Sequence, residues 1–154
     1  MTMTNAQYEQ TKFWEIFDNK LIENGEPFEL IHEKGREVTY WACVNKKRAF
    51  VNLCLSIEFK YRVKKVRVGI YICDDLNLFQ YLLRHRESID AELGFKSEWV
   101  FEGKQNPNTR RVINEFPLVS FDEDTYDTII DEVLPYVAQY KKVFEKYIPN
   151  LCDF

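Results

Sequence analysis

Two Glu-x-Lys triplets contain the residue types used by metal-dependent nucleases, EFK at residues 58–60 and EGK at residues 102–104. In such enzymes carboxylates hold Mg²⁺ while the lysine polarises the attacking water. An upstream aspartate is also needed, and the nearest are Asp18 and Asp90. Both fall in predicted helices rather than on a neighbouring strand, so a nuclease is the alternative hypothesis. Its candidate catalytic residues are Glu58 and Lys60, or Asp90, Glu102 and Lys104.

The strongest charge pattern is a basic stretch at residues 38–72, where eight basic residues accompany one acid, a net charge of +7. Residues 118–135 show the reverse, with six acids and no base. Lysine and arginine bind phosphates by counterion release, and aromatic rings stack on unpaired bases. The candidate binding residues are Lys60, Arg62, Lys64, Lys65, Arg67 and Tyr71.

Three other interpretations of this charge pattern remain open. Exposed lysines on strands and turns protect sheet edges from unwanted pairing. Arg67 could simply pair with Glu58 across a hairpin. The basic stretch of one copy could also meet the acidic segment of another, which would make a homodimer.

Composition limits the protein class. The 154 residues include 21 basic and 25 acidic side chains and carry a net charge of −4. The whole chain is therefore not expected to be attracted to nucleic acid or anionic lipid by its net charge. No apolar run approaches the roughly 20 residues that span a bilayer. We therefore expect a cytoplasmic protein without membrane contact, folded as a single domain over residues 1–154.

The sequence predicts neither a metal site nor a cofactor. His32 and His85 have no partner histidine or cysteine at ligand spacing. The four cysteines contain no CxxC pair and are expected to be buried free thiols. The five glycines are scattered, so they form no phosphate-binding loop.

Apolar residues that alternate with period two predict strands with one covered side. The hydrophobic residues of residues 51–59 and 66–72 alternate in this way on both sides of the basic turn, which predicts a β-hairpin. The predicted strands are residues 38–44, 51–59, 66–72, 97–102 and 109–116.

Helical periodicity appears in three further segments. They are residues 5–24, residues 76–93 after an Asp74 or Asp75 cap, and a last helix that follows a capping-box pattern at residues 120–123 and continues in phase across Pro135. The predicted order is α-β-β-β-α-β-β-α. Runs of strands joined by short turns favour an α+β two-layer sandwich, with a mainly antiparallel five-stranded sheet and three helices.

Several segments together carry a family resemblance. They are KFWEIF at 12–17 with GEPF at 25–28, VRVGIYI at 66–72, RESIDAELGFKSEWVFEGK at 86–104 and KKVFEKYI at 141–148. From about residue 13 to residue 148 the chain resembles the prokaryotic domain-of-unknown-function family DUF4268. The resemblance implies a module that often stands C-terminal to nuclease-like domains, and it brings no established activity or catalytic residue. Family members tend to carry a glutamate where this chain has Gly69.

The leading functional hypothesis is a non-catalytic macromolecular recognition module. Its partner would be another protein or a second copy of the chain. A more specific form of this hypothesis is that the basic hairpin binds nucleic acid.

Overall fold

The structure is a computed structural model that describes residues 5–23, 40–45, 49–57, 63–73, 75–101, 109–148 and 151. At residues 5–10 and 40–45, and at some positions of the other strands, only the backbone is described. The fold is α+β with an antiparallel sheet, as the sequence predicts. None of the described helices is both long and apolar enough to cross a membrane.

Four helices and five strands follow one another in the order α-β-β-β-α-α-β-β-α. The helices are α1 (Asn5–Glu23), α2 (Leu76–Arg84), α3 (Arg86–Leu93) and α4 (Tyr126–Phe144). The strands are β1 (Tyr40–Asn45), β2 (Ala49–Ile57), β3 (Val63–Cys73), β4 (Glu98–Val100) and β5 (Thr109–Pro117).

The sheet has the strand order β1-β2-β3-β5-β4, and every neighbouring pair is antiparallel. The predicted hairpin is confirmed, because β2 pairs with β3 from Ala49 opposite Ile72 to Ile57 opposite Val63. β5 inserts between β3 and β4, so the strand that lies beside the hairpin comes from much later in the chain.

One face of the sheet packs on the helices. The register aligns the alternating apolar residues of β2 and β3, so that they share the inner face, and all of them are buried. Helix α4 contacts both strands, and α1 contacts α4. The aligned residues are Ala49, Val51, Leu53, Leu55, Val66, Val68, Ile70 and Ile72.

The prediction of one helix over residues 76–93 is wrong, because the chain leaves the helix at His85. The backbone N–H of His85 donates to Leu82 O at 3.0 Å, a bond one residue shorter than the helical one, and α3 starts at the next residue. The ends of the segment match the prediction. Asp75 Oδ1 accepts from the N–H of Leu78 at 2.9 Å, and Gly94 adopts the left-handed conformation with φ 76°.

The last helix begins later than its capping-box pattern predicts. Its N-cap is Thr125, and the preceding residues form a turn in which the Thr125 hydroxyl donates to Asp122 O at 2.9 Å and accepts from the N–H of Asp122 at 3.0 Å. Serine and threonine hydroxyls can bond to nearby backbone groups outside a helix, and here the Thr125 hydroxyl stabilises the turn before α4. α4 runs through Pro135 without a break, as its unbroken apolar phase predicts.

Candidate binding surface on the outer sheet face

The face of the sheet opposite the helices carries most of the described residues of the predicted binding site. Since side chains alternate along a strand, the β3 residues between the buried valines and isoleucines point to this second face. Pairing with β5 brings Glu115 opposite Arg67 and Arg111 opposite Tyr71. We call this surface the outer face, and its residues are Lys65, Arg67, Gly69, Tyr71, Arg111, Ile113 and Glu115.

Two of the predicted cations share one carboxylate on the outer face. Lys65 Nζ lies 2.6 Å from Glu115 Oε2, and Arg67 Nη2 lies 3.2 Å from Glu115 Oε1. Partial burial raises the pKa of Glu115, but the hydrogen bond and charge of Lys65 and the charge of Arg67 outweigh it, and the pKa lies below its usual value. The cluster keeps one net positive charge. These side chains remain 20–30% exposed and accessible to a ligand.

A second cationic point lies four residues along the strands. The guanidinium of Arg111 sits 5.7 Å from the ring centre of Tyr71, its direct partner across the β3–β5 pair. Nε of Arg111 is buried and donates to no acceptor in the part of the chain that the structure describes. Stacking on an aromatic ring stabilises an arginine by about 0.5–1 kcal/mol at an exposed site. The ring therefore stabilises this guanidinium, whose charge no carboxylate balances among the described residues.

Between the two cationic points the outer face has no tall side chain on β3. Gly69 lies opposite Ile113, which is 1% exposed although it belongs to the face away from the helices. A Cβ built on Gly69 would fall 2.1 Å from Val112 O and 2.8 Å from Ile113 Cα. β5 therefore approaches β3 too closely at this point for any other residue, which is a physical reason for glycine at position 69.

The structure describes the remaining predicted binding residues only in part. Lys60 and Arg62 lie outside the described residues, and Lys64 lies on β3 with its backbone described but not its side chain. The predicted pairing of Arg67 with Glu58 also falls on an undescribed residue, while Glu115 is the partner seen for Arg67. Sequence analysis missed Glu115 and Arg111. Their alternation along residues 109–116 gave the signal that they share a face, but not that β5 lies beside β3.

Of the alternative nuclease residues, the structure describes only Asp90. Glu58, Lys60, Glu102 and Lys104 all lie outside the described residues. Asp90 is described, and its carboxylate accepts from Trp99 Nε1 at 3.0 Å and lies 3.7 Å from Arg86. Within residues that the structure describes, no group of three or more histidine, cysteine or acidic side chains could hold a metal ion.

An open cleft of about 450 Å³ lies beside β4, at the edge of the sheet. Arg86 stacks over Trp99 here at 5.5 Å, and Asp90 holds both residues in place. The cleft is lined by Arg86, Lys96, Ser97, Glu98, Trp99, Ile113, Asn114 and Glu115. It thus reaches from α3 to the end of the outer face that carries Glu115.

A buried polar cluster fixes the position of α4 against this edge. Ser97 Oγ lies 2.7 Å from the Tyr140 hydroxyl, and that hydroxyl donates to Asn114 Oδ1. Asn114 Nδ2 in turn donates to Lys96 O at 2.8 Å. Burial raises the pKa of Tyr140 well above its usual value, although the Ser97 hydrogen bond acts in the opposite direction. The tyrosine stays neutral, so this cluster positions the helix and offers no base.

The acidic start of α4 is partly neutralised within the same chain. Lys12 of α1 lies 2.7 Å from Glu123, and Lys20 lies 3.2 Å from Asp127 and 2.6 Å from Asp131. The hydrogen bond to Asp131 is the main cause that raises the pKa of Lys20. Because α1 already supplies cations to this segment, a second copy of the chain finds fewer free carboxylates there than the sequence suggests.

The fold and this surface define an α+β protein whose antiparallel sheet has one face covered by helices and a charged second face. The family model for a domain of unknown function, DUF4268, matches residues 9–148. The chain belongs to that family, as its sequence segments indicate. No curated protein and no solved structure matches the chain.

Proposed function

We propose that this protein is a non-catalytic recognition module that binds nucleic acid through its outer face. The observation that carries the proposal is the charge arrangement between β3, β5 and β4. Among the described side chains of the outer face, three cations, Lys65, Arg67 and Arg111, stand against two carboxylates, Glu115 and Glu98. Phosphate groups compete well for such cations, because their binding releases condensed counterions.

The sequence between β2 and β3 holds further basic residues that the proposal counts as candidate phosphate contacts. Lys60 and Arg62 belong to that connection, and Lys64 follows on β3. Strand residues four apart are separated by about 13 Å, so the Arg67 and Tyr71 positions span that distance. A nucleic acid strand of a few nucleotides can therefore contact both cationic points, consistent with the site sizes of single-strand binders.

Self-association and a protein partner are the competing forms of recognition. The ion pairs from Lys12 and Lys20 to the start of α4 reduce the charge available for a head-to-tail dimer. The outer face keeps more cations than carboxylates, which favours a polyanion over a neutral protein surface. For these reasons the proposal commits to nucleic acid.

The test measures fluorescence anisotropy of labelled single- and double-stranded DNA and RNA with the full chain, at about 50 and 200 mM salt. We expect binding at low salt that weakens by at least tenfold at the higher salt. Lys65→Gln removes one outer-face charge, so it should weaken binding to all sequences and reduce the salt slope by about one. Glutamine is used rather than glutamate, because a second carboxylate there would stand beside Glu115.

Lys142→Gln is the matched control, since it makes the same charge change at an exposed position on the last turn of α4. It should leave binding unchanged. If no nucleic acid binds at low salt, or if both lysine variants lose binding equally, the proposal is wrong. Light scattering on the same samples would then report whether the chain forms a dimer.

A further inference from the structure

We infer that the Arg111–Tyr71 pair is a stacking platform that makes the surface select unpaired bases, so that the ligand is single-stranded nucleic acid. This inference rests on the proposed function and deepens it. The pair lies on the two central strands of the described outer face, where β3 and β5 are held together along their full length. A platform there is rigid, because both residues belong to strands rather than to a loop.

The geometry of the pair carries the inference. The Arg111 guanidinium lies over the Tyr71 ring, with 5.7 Å between the guanidinium carbon and the ring centre. The guanidinium is planar, and bases stack on arginine planes as they do on aromatic rings. In the inference, an unpaired base stacks against this pair and extends the contact of arginine and tyrosine.

The contacts of Arg111 differ from those of the other arginine–aromatic pair. Arg86 stacks over Trp99 at 5.5 Å, but its charge is already balanced by Asp90 at 3.7 Å. Arg111 has no carboxylate within ion-pair distance in the described part of the chain, and its Nε has no acceptor there. Of these two guanidinium groups, Arg111 is the one whose charge a phosphate can satisfy while a base covers its plane.

The second cationic point sets the path of the strand. Arg67 stands about 13 Å from the platform along β3 and Lys65 about 20 Å, and together they keep one net charge beside Glu115. A duplex hides its bases in its own stack, and it gains only the phosphate contacts.

The experiment compares two labelled oligonucleotides of about 12 nucleotides at low salt, one of thymidines and one abasic with the same backbone. The wild-type chain should bind the thymidine strand about five- to tenfold more tightly, which corresponds to one stacked base. Arg111→Lys keeps the charge but loses the plane. It should bind both strands equally and at the affinity that the wild type has for the abasic strand.

Arg86→Lys is the matched control, since it makes the same replacement at the arginine that is already paired. It should keep the preference for bases, and thermal melts should show both variants folded. If the wild type binds both strands equally, or if Arg111→Lys keeps the preference, the platform is refuted while the proposed function stands. If neither strand binds the wild type, the proposed function itself fails. Equal affinity for a polyglutamate of similar length would also refute the platform, because charge alone would then explain binding.

Discussion

The close approach of β5 to β3 makes a specific prediction for Gly69→Ala. The added Cβ would lie 2.1 Å from Val112 O and 2.8 Å from Ile113 Cα, whereas an ordinary contact is 3.4 Å or longer. Both of these atoms belong to backbone, so no side-chain rotation relieves the clash. The strands must move apart by about 1 Å around residue 69, beyond the range in which ladder hydrogen bonds keep their strength.

The expected loss of stability has two contributions, the steric clash and the weakened hydrogen bonds between the strands. Overpacking in a rigid site costs about 1–3 kcal/mol, and each weakened ladder bond adds about 0.5–1.5 kcal/mol. We expect Gly69→Ala to lower the free energy of unfolding by about 2–4 kcal/mol. For a chain of this size that corresponds to a fall in melting temperature of roughly 5–15 °C. A longer side chain such as glutamate should be worse than alanine here.

Thermal and urea unfolding followed by circular dichroism would measure the change, with Gly94→Ala as the control. Gly94 has φ 76° but no atom within 4 Å of a built Cβ, so alanine there meets strain without a clash. Its cost should be about 1–2 kcal/mol, the penalty of the left-handed conformation. A Gly69→Ala protein that melts at the wild-type temperature, or above Gly94→Ala, would refute the close approach of the two strands.

Two further predictions concern titrating groups. Tyr140→Phe removes the hydroxyl that Ser97 and Asn114 share and should cost about 1–3 kcal/mol in urea unfolding. Because the pKa of Tyr140 is raised in the fold, wild-type stability should also fall as pH rises above about 10, a loss that the variant lacks. Glu115→Gln should destabilise the protein near pH 7. Since the pKa of Glu115 is lowered, that difference should be complete above the ordinary glutamate pKa of about 4.3 and should shrink as pH falls below it. A difference that stays constant between pH 7 and pH 2 would contradict the Lys65–Glu115 pair.

The strands and their faces could be predicted because each depends on short-range alternation. Val66, Val68, Ile70 and Ile72 repeat with period two, and all four are buried against the helices. Local signals also placed the cap at Asp75 and the stop at Gly94. The break at His85 had no such signal, since neither glycine nor proline marks it.

The content of the binding surface depended on which strands meet. Residues 67 and 115 are 48 positions apart, and no local pattern links them. The basic stretch therefore suggested a surface of uncompensated cations, whereas β5 brings Glu115 to Lys65 and Arg67. The same pairing adds Arg111, which belongs to a segment that the sequence did not connect with the hairpin. The pairing of β5 with β3 thus changed both the net charge of the predicted site and the set of residues that form it.

The insertion of β5 into the sheet has a consequence for the order of folding. β1, β2 and β3 are consecutive and pair through short connections, while β5 reaches β3 only after α2, α3 and β4 have been traversed. Closing so long a loop costs entropy before its contacts repay it, which makes this pairing the slow step. Until β5 arrives, one side of β3 is an open edge, and Lys65 and Arg67 on that strand oppose its association with other chains. The cations proposed to attract a ligand in the finished fold thus also protect the nascent sheet from aggregation.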